Sequence, residues 1–377
     1  MVYCRTINPE GENMKAEKVL RVSATKEHNR NSEGAFVELK DGTILFAYTR
    51  YIGEDWRDDA CADIVVIKSK DGGTTWSEPE VMVEHDPGYG NMMSVSLLRL
   101  QSGRICFIYL KKRLFEGCTD CRPMLKVSDD DGATWSEPQY IIGAPGYYVV
   151  NNDRLIQLKS GRLLLPAACH RWKGQVSATS FGLDGRAVDY VYYSDDEGAT
   201  WYEAPDWILP AVSESRTGLQ EPGVVELEDG RVMLWARTDQ GCQYKAFSYD
   251  GGLNWTDAIP APEFLSPAAP LSMKRDPVTG DLVAIWNDQK PRYGMALDHA
   301  GRNPWSWDRA PYAMAFSSDN GNTWTGHNAF DTEEGCGFCY CAILFCSNGN
   351  LLTAYCSGGK PYGTETLQDI TICRFTR

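Results

Sequence analysis

Ser128-Asp129-Asp130-Asp131-Gly132-Ala133-Thr134-Trp135 is one of five versions of a single eight-residue phrase. The others are SKDGGTTW from Ser69, SDDEGATW from Ser194, SYDGGLNW from Ser248 and SSDNGNTW from Ser317. Asp71, Asp130, Asp196, Asp250 and Asp319 hold its third place, a Gly follows two residues later, and a Trp ends it. The carboxylate accepts hydrogen bonds from its own turn, and the Gly supplies a positive φ. The Trp folds back as an apolar plug covering on the order of 150–250 Å². Each copy follows a β-rich run such as DIVVIKS, PMLKVS or YAMAFS, so each turn joins two strands. The chain is a repeat protein.

A second signal runs beside the first. Short hairpins of the form L-x-x-G-x followed by apolar residues stand at Gly42, Gly103, Gly161, Gly230, Gly280 and Gly349, and five of these six precede a Trp turn. Each unit reads strand, glycine turn, strand, loop, strand, Trp turn, strand. The expected fold is all-β: a six-bladed β-propeller of four-stranded antiparallel blades, whose radial repetition hides most sheet edges. The sixth unit has no Trp turn and ends in DITICRFTR; KVLRVSATK near the N-terminus is the expected donor of its fourth strand. No linker or long amphipathic helix interrupts the pattern, so residues 1–377 read as one domain, with 1–18 a poorly ordered lead-in.

A formal charge of −14 argues against nucleic acid or an anionic membrane as partner, since both select basic patches. A small anionic substrate stays open, because a local Arg cluster outweighs the global field at contact distance. The polar opening MVYCRTINPEGENMKAEK holds no leader-like apolar run, and no stretch is long enough to span a membrane. The expectation is a cytoplasmic protein, unless a leader was trimmed. Thirteen Cys, an odd number spread along the chain, fit free thiols better than a disulfide framework.

With these units in place, the chain resembles the sialidase clan of glycoside hydrolases, whose Asp-box (BNR) propellers release terminal sialic acids. LQEPGVVELEDGRVMLWAR has Glu221 before one strand and Arg237 ending the next, as that family places its catalytic Glu and a carboxylate-binding Arg. Arg309 in DRAPYAMAFSSDNGNTW matches a further carboxylate-binding Arg, and Tyr340 in FCYCAILFCSNGNLL matches the nucleophilic Tyr. The resemblance implies an exo-glycosidase that needs no cofactor and acts on a small glycoside or oligosaccharide.

The chemistry accounts for that set. A sugar with a carboxylate on its anomeric carbon would repel a carboxylate nucleophile at ~4 Å by about 4 kcal/mol at an effective dielectric near 20. A neutral Tyr avoids the penalty when a Glu takes its proton, and sialidases are the Tyr exception among glycosidases. Planar guanidinium forks suit the substrate carboxylate better than Lys.

Two parts depart from the family. Its first clamp Arg falls, on alignment of the hairpin glycine, at Ser32-Glu33-Gly34, with Arg30 two residues out of register. Arg30 therefore reaches in from outside, or the clamp has lost a member and the sugar differs. The general acid is expected in RYIGEDWRDDACAD, which runs from Arg50 and offers Asp55, Asp58, Asp59 and Asp63. Asp59 is preferred and Asp58 is second, while Asp63 opens the next strand.

Further candidates are Arg50, Arg122 as a replacement clamp, and the VVNNDRLIQL segment. There Asn151, Asn152, Asp153 and Arg154 read either as substrate contacts or as a buried salt bridge between units. Cys118-x-x-Cys121 and Cys336-x-x-Cys339-x-Cys341 have metal-ligand spacing but belong to distant units, so no metal site is expected. Two rivals remain: the same fold cleaving a different sugar, and a propeller that only binds glycans.

Overall fold

The computed structural model describes residues 5–7, 13–86, 90–177, 182–210, 212–290 and 309–376. Strands dominate; the only helical element among the described residues is a short 3-10 turn, Lys360–Tyr362. The antiparallel hairpins fall into six successive units. The first comprises Asn31–Glu38, Ile44–Tyr51, Ala62–Ser69 and Glu80–Val83, and the second Asn91–Arg99, Ile105–Phe115, Cys118–Ser128 and Gln139–Tyr140. The third comprises Ile156–Gln157, Leu163–His170, Val188–Ser194 and Tyr202–Ile208, with Tyr147–Val149 added beside Leu163–His170. Gln220–Glu226, Val232–Arg237, Cys242–Ser248 and Ile259–Leu265 form the fourth; Ser272–Arg275, Leu282–Trp286, Tyr312–Ser317 and Thr325–Asp331 form the fifth. Single parallel pairings, Ala62 with Asn91 and Tyr147 with Cys121, join the first three units edge to edge.

The last unit differs from the expectation in one respect. Cys339–Phe345, Leu351–Cys356 and Ile370–Thr376 take Asn13–Val22 as their fourth strand, so the expected N-terminal donor does pair with the last strand. Arg5–Ile7 then adds a fifth. Residues 13–18, expected to be poorly ordered, are therefore ladder residues, with Lys15 opposite Thr376 and Lys18 opposite Cys373. Residues 1–4 and 8–12 of that lead-in lie outside the described residues.

Strand alternation explains the apolar runs. In ILFAY, Leu45 and Ala47 pack toward Val95, Leu97 and Phe107 of the second unit, while Ile44, Phe46 and Tyr48 pack toward Leu352, Ala354 and Ile372 of the sixth. Both faces are buried, so every position is apolar. Leu163 and Leu165 likewise face the second unit and Leu164 the fourth. Separate apolar seams join the fourth to the fifth and the fifth to the sixth unit. Each fully buried Leu, Ile or Phe in a seam contributes about 1.5–3 kcal/mol.

The Trp turns join the third and fourth strands, and their chemistry follows the repeat. Ser69 Oγ donates to Asp71 Oδ1 (2.8 Å), Thr75 N and Oγ1 donate to the same carboxylate (2.9 and 2.6 Å), and Gly73 N donates to Ser69 Oγ (2.9 Å). The Trp side chains are half-buried rather than fully buried plugs. What they hold is the seam. In every copy the Gly backs onto the preceding unit: Gly132 on Leu45, Gly198 on Leu125, Gly252 on Leu164, Gly321 on Met233, and Gly73 on Leu352 of the sixth.

At Gly252, φ is +90° and an added Cβ would lie 2.9 Å from Leu164 Cδ1. Gly252→Ala should therefore lower stability by roughly 1–3 kcal/mol, read as a drop in Tm. The turn carboxylates give an acid limb. Hydrogen bonds from Thr134 hold the Asp130 carboxyl at about 2, below its unfolded value. Its contribution is complete above the unfolded pKa of about 3.9 and is lost as pH falls toward about 2. Asp130→Asn should flatten the fall of the urea midpoint across that window.

Candidate active site

The candidate side chains share a backbone device. In the opening strand of four units the ladder slips, between Ser32 and Ala35, Met93 and Ser96, Gln220 and Gly223, and Cys339 and Ala342. At each slip one non-glycine residue has a positive φ: Glu33 (50°), Ser94 (57°), Glu221 (51°) and Tyr340 (59°). Asp153, ahead of the third unit's short first strand, has φ 59°. A bulge breaks the two-residue alternation and re-aims a side chain. Glu33, Ser94, Glu221 and Tyr340 all line one cavity. Close packing fixes the geometry at Glu221: a Cβ on Gly223 would sit 2.2 Å from Trp235 Cζ2.

Tyr340 Oη donates to Glu221 Oε1 at 3.0 Å, and Arg237 donates to Glu221 Oε2 at 2.8 Å. Arg309 lies over the Tyr340 ring, 5.4 Å from its centroid, and is held there because its carbonyl accepts from Phe338 N (2.7 Å). Burial, followed by the Glu221 charge, drives the phenol's pKa far upward against the pull of Arg309 and Arg237. The phenol is thus protonated at rest, with its proton already directed at a carboxylate.

On the other wall stand Glu33, Ser94, Asp58 and Lys112. Arg30 is buried, 1% exposed, and its terminal nitrogens donate to Asp58 Oδ1 (2.5 Å), Trp56 O (3.1 Å) and Ser32 Oγ (3.4 Å). Lys112 Nζ donates to Asp58 O (2.8 Å). Desolvation opposes ionisation of Asp58, but its side chain remains two-thirds open to water, and the Arg30 and Lys112 charges hold its pKa at about 2. Glu33 takes the opposite course. Buried to 6% exposure and facing Asp58, its carboxyl is pushed up to about 8, with Arg30 and Lys112 only partly offsetting burial.

The chamber floor is narrow, about 90 Å³, and opens into a cleft of about 470 Å³ that shares Tyr147, Val149 and Glu221 with it. The cleft continues over His170, Asp184 and Gln220. His170 Nδ1 donates to Asp184 O (2.8 Å), leaving Nε2 as an acceptor, and burial lowers this ring's pKa.

Several candidates from the sequence fall elsewhere. Asp59 does not line the cavity, Asp55 pairs with Arg57 at the surface, and Asp63 accepts from His85 N and Nδ1. Arg50 is paired in register with Asn31 and Asp63 and does not line the cavity. Arg122 is no replacement clamp: it donates to Asp120 (3.1 Å) and Gly143 O (2.8 Å) and stacks on Tyr140. Asp153 accepts from Lys274 Nζ (2.7 Å) and Ile343 N (2.9 Å), and Arg154 donates to Leu271 O (2.8 Å), so this pair bridges units. Cys118 and Cys121 belong to the second unit and Cys336, Cys339 and Cys341 to the sixth; among the described residues no His, Cys, Asp and Glu cluster has metal-site geometry.

Ser94, Lys112, Tyr147 and His170 were missed. Ser94 carried a usable signal. Four bulge residues stand nine positions before their hairpin glycine: Glu33 before Gly42, Ser94 before Gly103, Glu221 before Gly230, and Tyr340 before Gly349. Lys112 follows Lys111, and the tandem conceals which of them points inward.

Comparison with known proteins agrees with this fold. A sialidase of Paraclostridium sordellii is 29% identical over 250 residues, 58% of this chain and 55% of the relative, so the chain spans about half the length of that curated protein. Among solved structures, a Dyadobacter fermentans protein of unknown function superposes with a TM-score of 0.70 at 19% identity, over 95% of this chain and 98% of that one. The leech intramolecular trans-sialidase superposes with a TM-score of 0.67 at 15% identity, over 96% and 70%. Identities this low speak for the fold alone. The profile described as BNR repeat-like domain matches residues 57–353, and the chain belongs to that family, with a sialidase-like all-β fold.

Proposed function

We propose that the chain is an exo-glycosidase of sialidase type, hydrolysing a terminal acidic sugar through Tyr340, Glu221 and Asp58. The observation that carries this reading is the Tyr340–Glu221 hydrogen bond, with Arg237 on the second carboxylate oxygen. A glycan-binding protein has no use for a phenol poised to lose its proton. The six units act as blades of one closed propeller, a reading supported by the apolar seam between the last and first units. The catalytic bulges then converge on its axis.

In the proposed reaction Tyr340 Oη attacks the anomeric carbon as Glu221 accepts its proton. The phenol's ordinary pKa near 10 leaves it a poor nucleophile without that carboxylate. Arg237 and Arg309 meet the substrate carboxylate, and Arg237 also orients Glu221 through its second oxygen. Asp58, at the open mouth, protonates the leaving oxygen and then activates the water that releases the sugar with retained configuration. Its carboxyl is ionised in the empty cleft. A bound sugar acid adds negative charge and excludes water, both of which raise its pKa toward the value an acid catalyst needs.

Fluorogenic glycosides of several sugars test the activity directly. Tyr340→Phe and Glu221→Gln should each reduce kcat by roughly 10²–10⁴-fold with the fold intact by circular dichroism. Near-normal turnover by Tyr340→Phe would falsify the mechanism. Arg237→Lys should chiefly raise KM for an acidic sugar, because an ammonium cannot make the two-pronged contact. An equal rise for a neutral glycoside would remove Arg237 from carboxylate binding.

A further inference from the structure

The wall opposite Tyr340 poses a chemical problem. An acid, Glu33, stands in the opening strand of the first unit at the same bulge position as Glu221 and Tyr340, inside a cavity proposed to take an anionic sugar. As a carboxylate it would repel such a sugar and would also face Asp58. Arg30 does not settle the conflict: its terminal nitrogens donate to Asp58, Trp56 O and Ser32, and its charge only partly offsets the burial of Glu33.

We propose that Glu33 binds the substrate as a neutral carboxylic acid, donating its proton in a hydrogen bond to a carboxylate or hydroxyl oxygen of the sugar. The inference rests on the glycosidase reading and adds a specificity residue to it.

Three observations support this. First, the carboxyl is more than nine-tenths buried, yet among the described residues it receives one hydrogen bond, from Ser94 Oγ to Oε2 (3.1 Å). A carboxylate in that setting is under-solvated, whereas an acid with its second oxygen toward the cavity has a donor to offer. Second, the surrounding groups favour the neutral form. Arg30, Asp58, Lys112 of the second unit, and Cys356 and Tyr340 of the sixth all face it, and burial outweighs the two cations. Third, depth separates this role from that of the general acid. Asp58 lies two-thirds exposed at the mouth, where a leaving group departs, while Glu33 lies deep, where the terminal sugar must sit.

Substrate binding is then coupled to one proton. Glu33 titrates at about 8 in the empty site, so KM should be flat below that pH and rise about tenfold per unit above it, with kcat less affected. Glu33→Gln keeps a neutral N–H donor and removes the titration. With 4-methylumbelliferyl α-N-acetylneuraminide, the variant should show KM within about threefold of the wild-type neutral value and no alkaline rise between about pH 7 and 9.5. A wild-type KM that stays flat over that range, or a Glu33→Gln profile matching the wild type, overturns the proposal.

Calorimetry on the unmodified protein tests it without relying on a variant. Free N-acetylneuraminic acid, titrated near pH 8.5 in two buffers of different ionisation enthalpy, should bind with uptake of about half to one proton. Binding without proton uptake overturns the proposal. Binding with uptake but no turnover of any glycoside supports Glu33's role and sinks the hydrolase reading instead. Neither binding nor turnover overturns both.

Discussion

Three consecutive residues, Asn152, Asp153 and Arg154, hold the starts of four other units in place. Asn152 Nδ2 donates to Gly34 O (2.7 Å) and to Tyr340 O (3.1 Å), joining the first and sixth units. Asp153 N donates to Val95 O (2.9 Å) and Arg154 N to Ser96 Oγ (2.8 Å), fixing the second. Lys274 and Leu271 bring in the fifth. Asn152 is fully buried, so these bonds form in a low-dielectric interior where an unmade partner costs about 1–3 kcal/mol. Two of them grip backbone beside Glu33 and at Tyr340 itself. The positions of Tyr340 and Glu33 therefore depend on hydrogen bonds from a segment of the third unit.

That dependence explains which parts of the chain could be read in advance. The Trp turns and hairpin glycines were legible because their chemistry is local: Ser, Asp, Thr and Gly within eight residues satisfy one another. Tyr340, Glu221, Arg237 and Arg309 were legible by resemblance, since each sits at a fixed offset from a hairpin or turn. Arg30 was not. Its fate is decided by Asp58 and Trp56 O across a loop, and nothing in HNRNSEG announces that capture. Asp153 and Arg154 looked equally suited to binding a substrate or a neighbouring unit. Only the approach of Lys274, Ile343 and Leu271, all more than a hundred residues away, decides for the neighbour.

The bulges carry a cost. A non-glycine residue at positive φ gives up roughly 1–3 kcal/mol, and the opening strands accept this repeatedly. In a regular strand successive side chains alternate between the two faces, both of which are filled here by apolar seams. Within these opening strands, a polar side chain reaches the cavity without displacing a seam residue where the alternation is broken. Strain at Glu33, Ser94, Glu221 and Tyr340 is thus the local consequence of burying both faces of every unit while keeping a polar chamber at their ends.

The chamber's electrostatics run against those of the whole chain. A protein of formal charge −14 gathers Arg30, Lys112, Arg237 and Arg309 around this one cavity. Each is placed to control a carboxyl or the phenol. Asp58 touches Arg30 and the Lys112 charge, and its pKa falls; Glu33 has only a neutral hydroxyl as donor, and its pKa rises. Two carboxyls on one wall are thereby driven to opposite protonation states by the choice of hydrogen-bond partner rather than by depth alone. If Arg30 turned from Asp58 to Glu33, Glu33 would be drawn toward ionisation and the pKa of Asp58 would rise. The Arg30–Asp58 ion pair therefore helps to set which of the two acids carries a proton in the empty chamber.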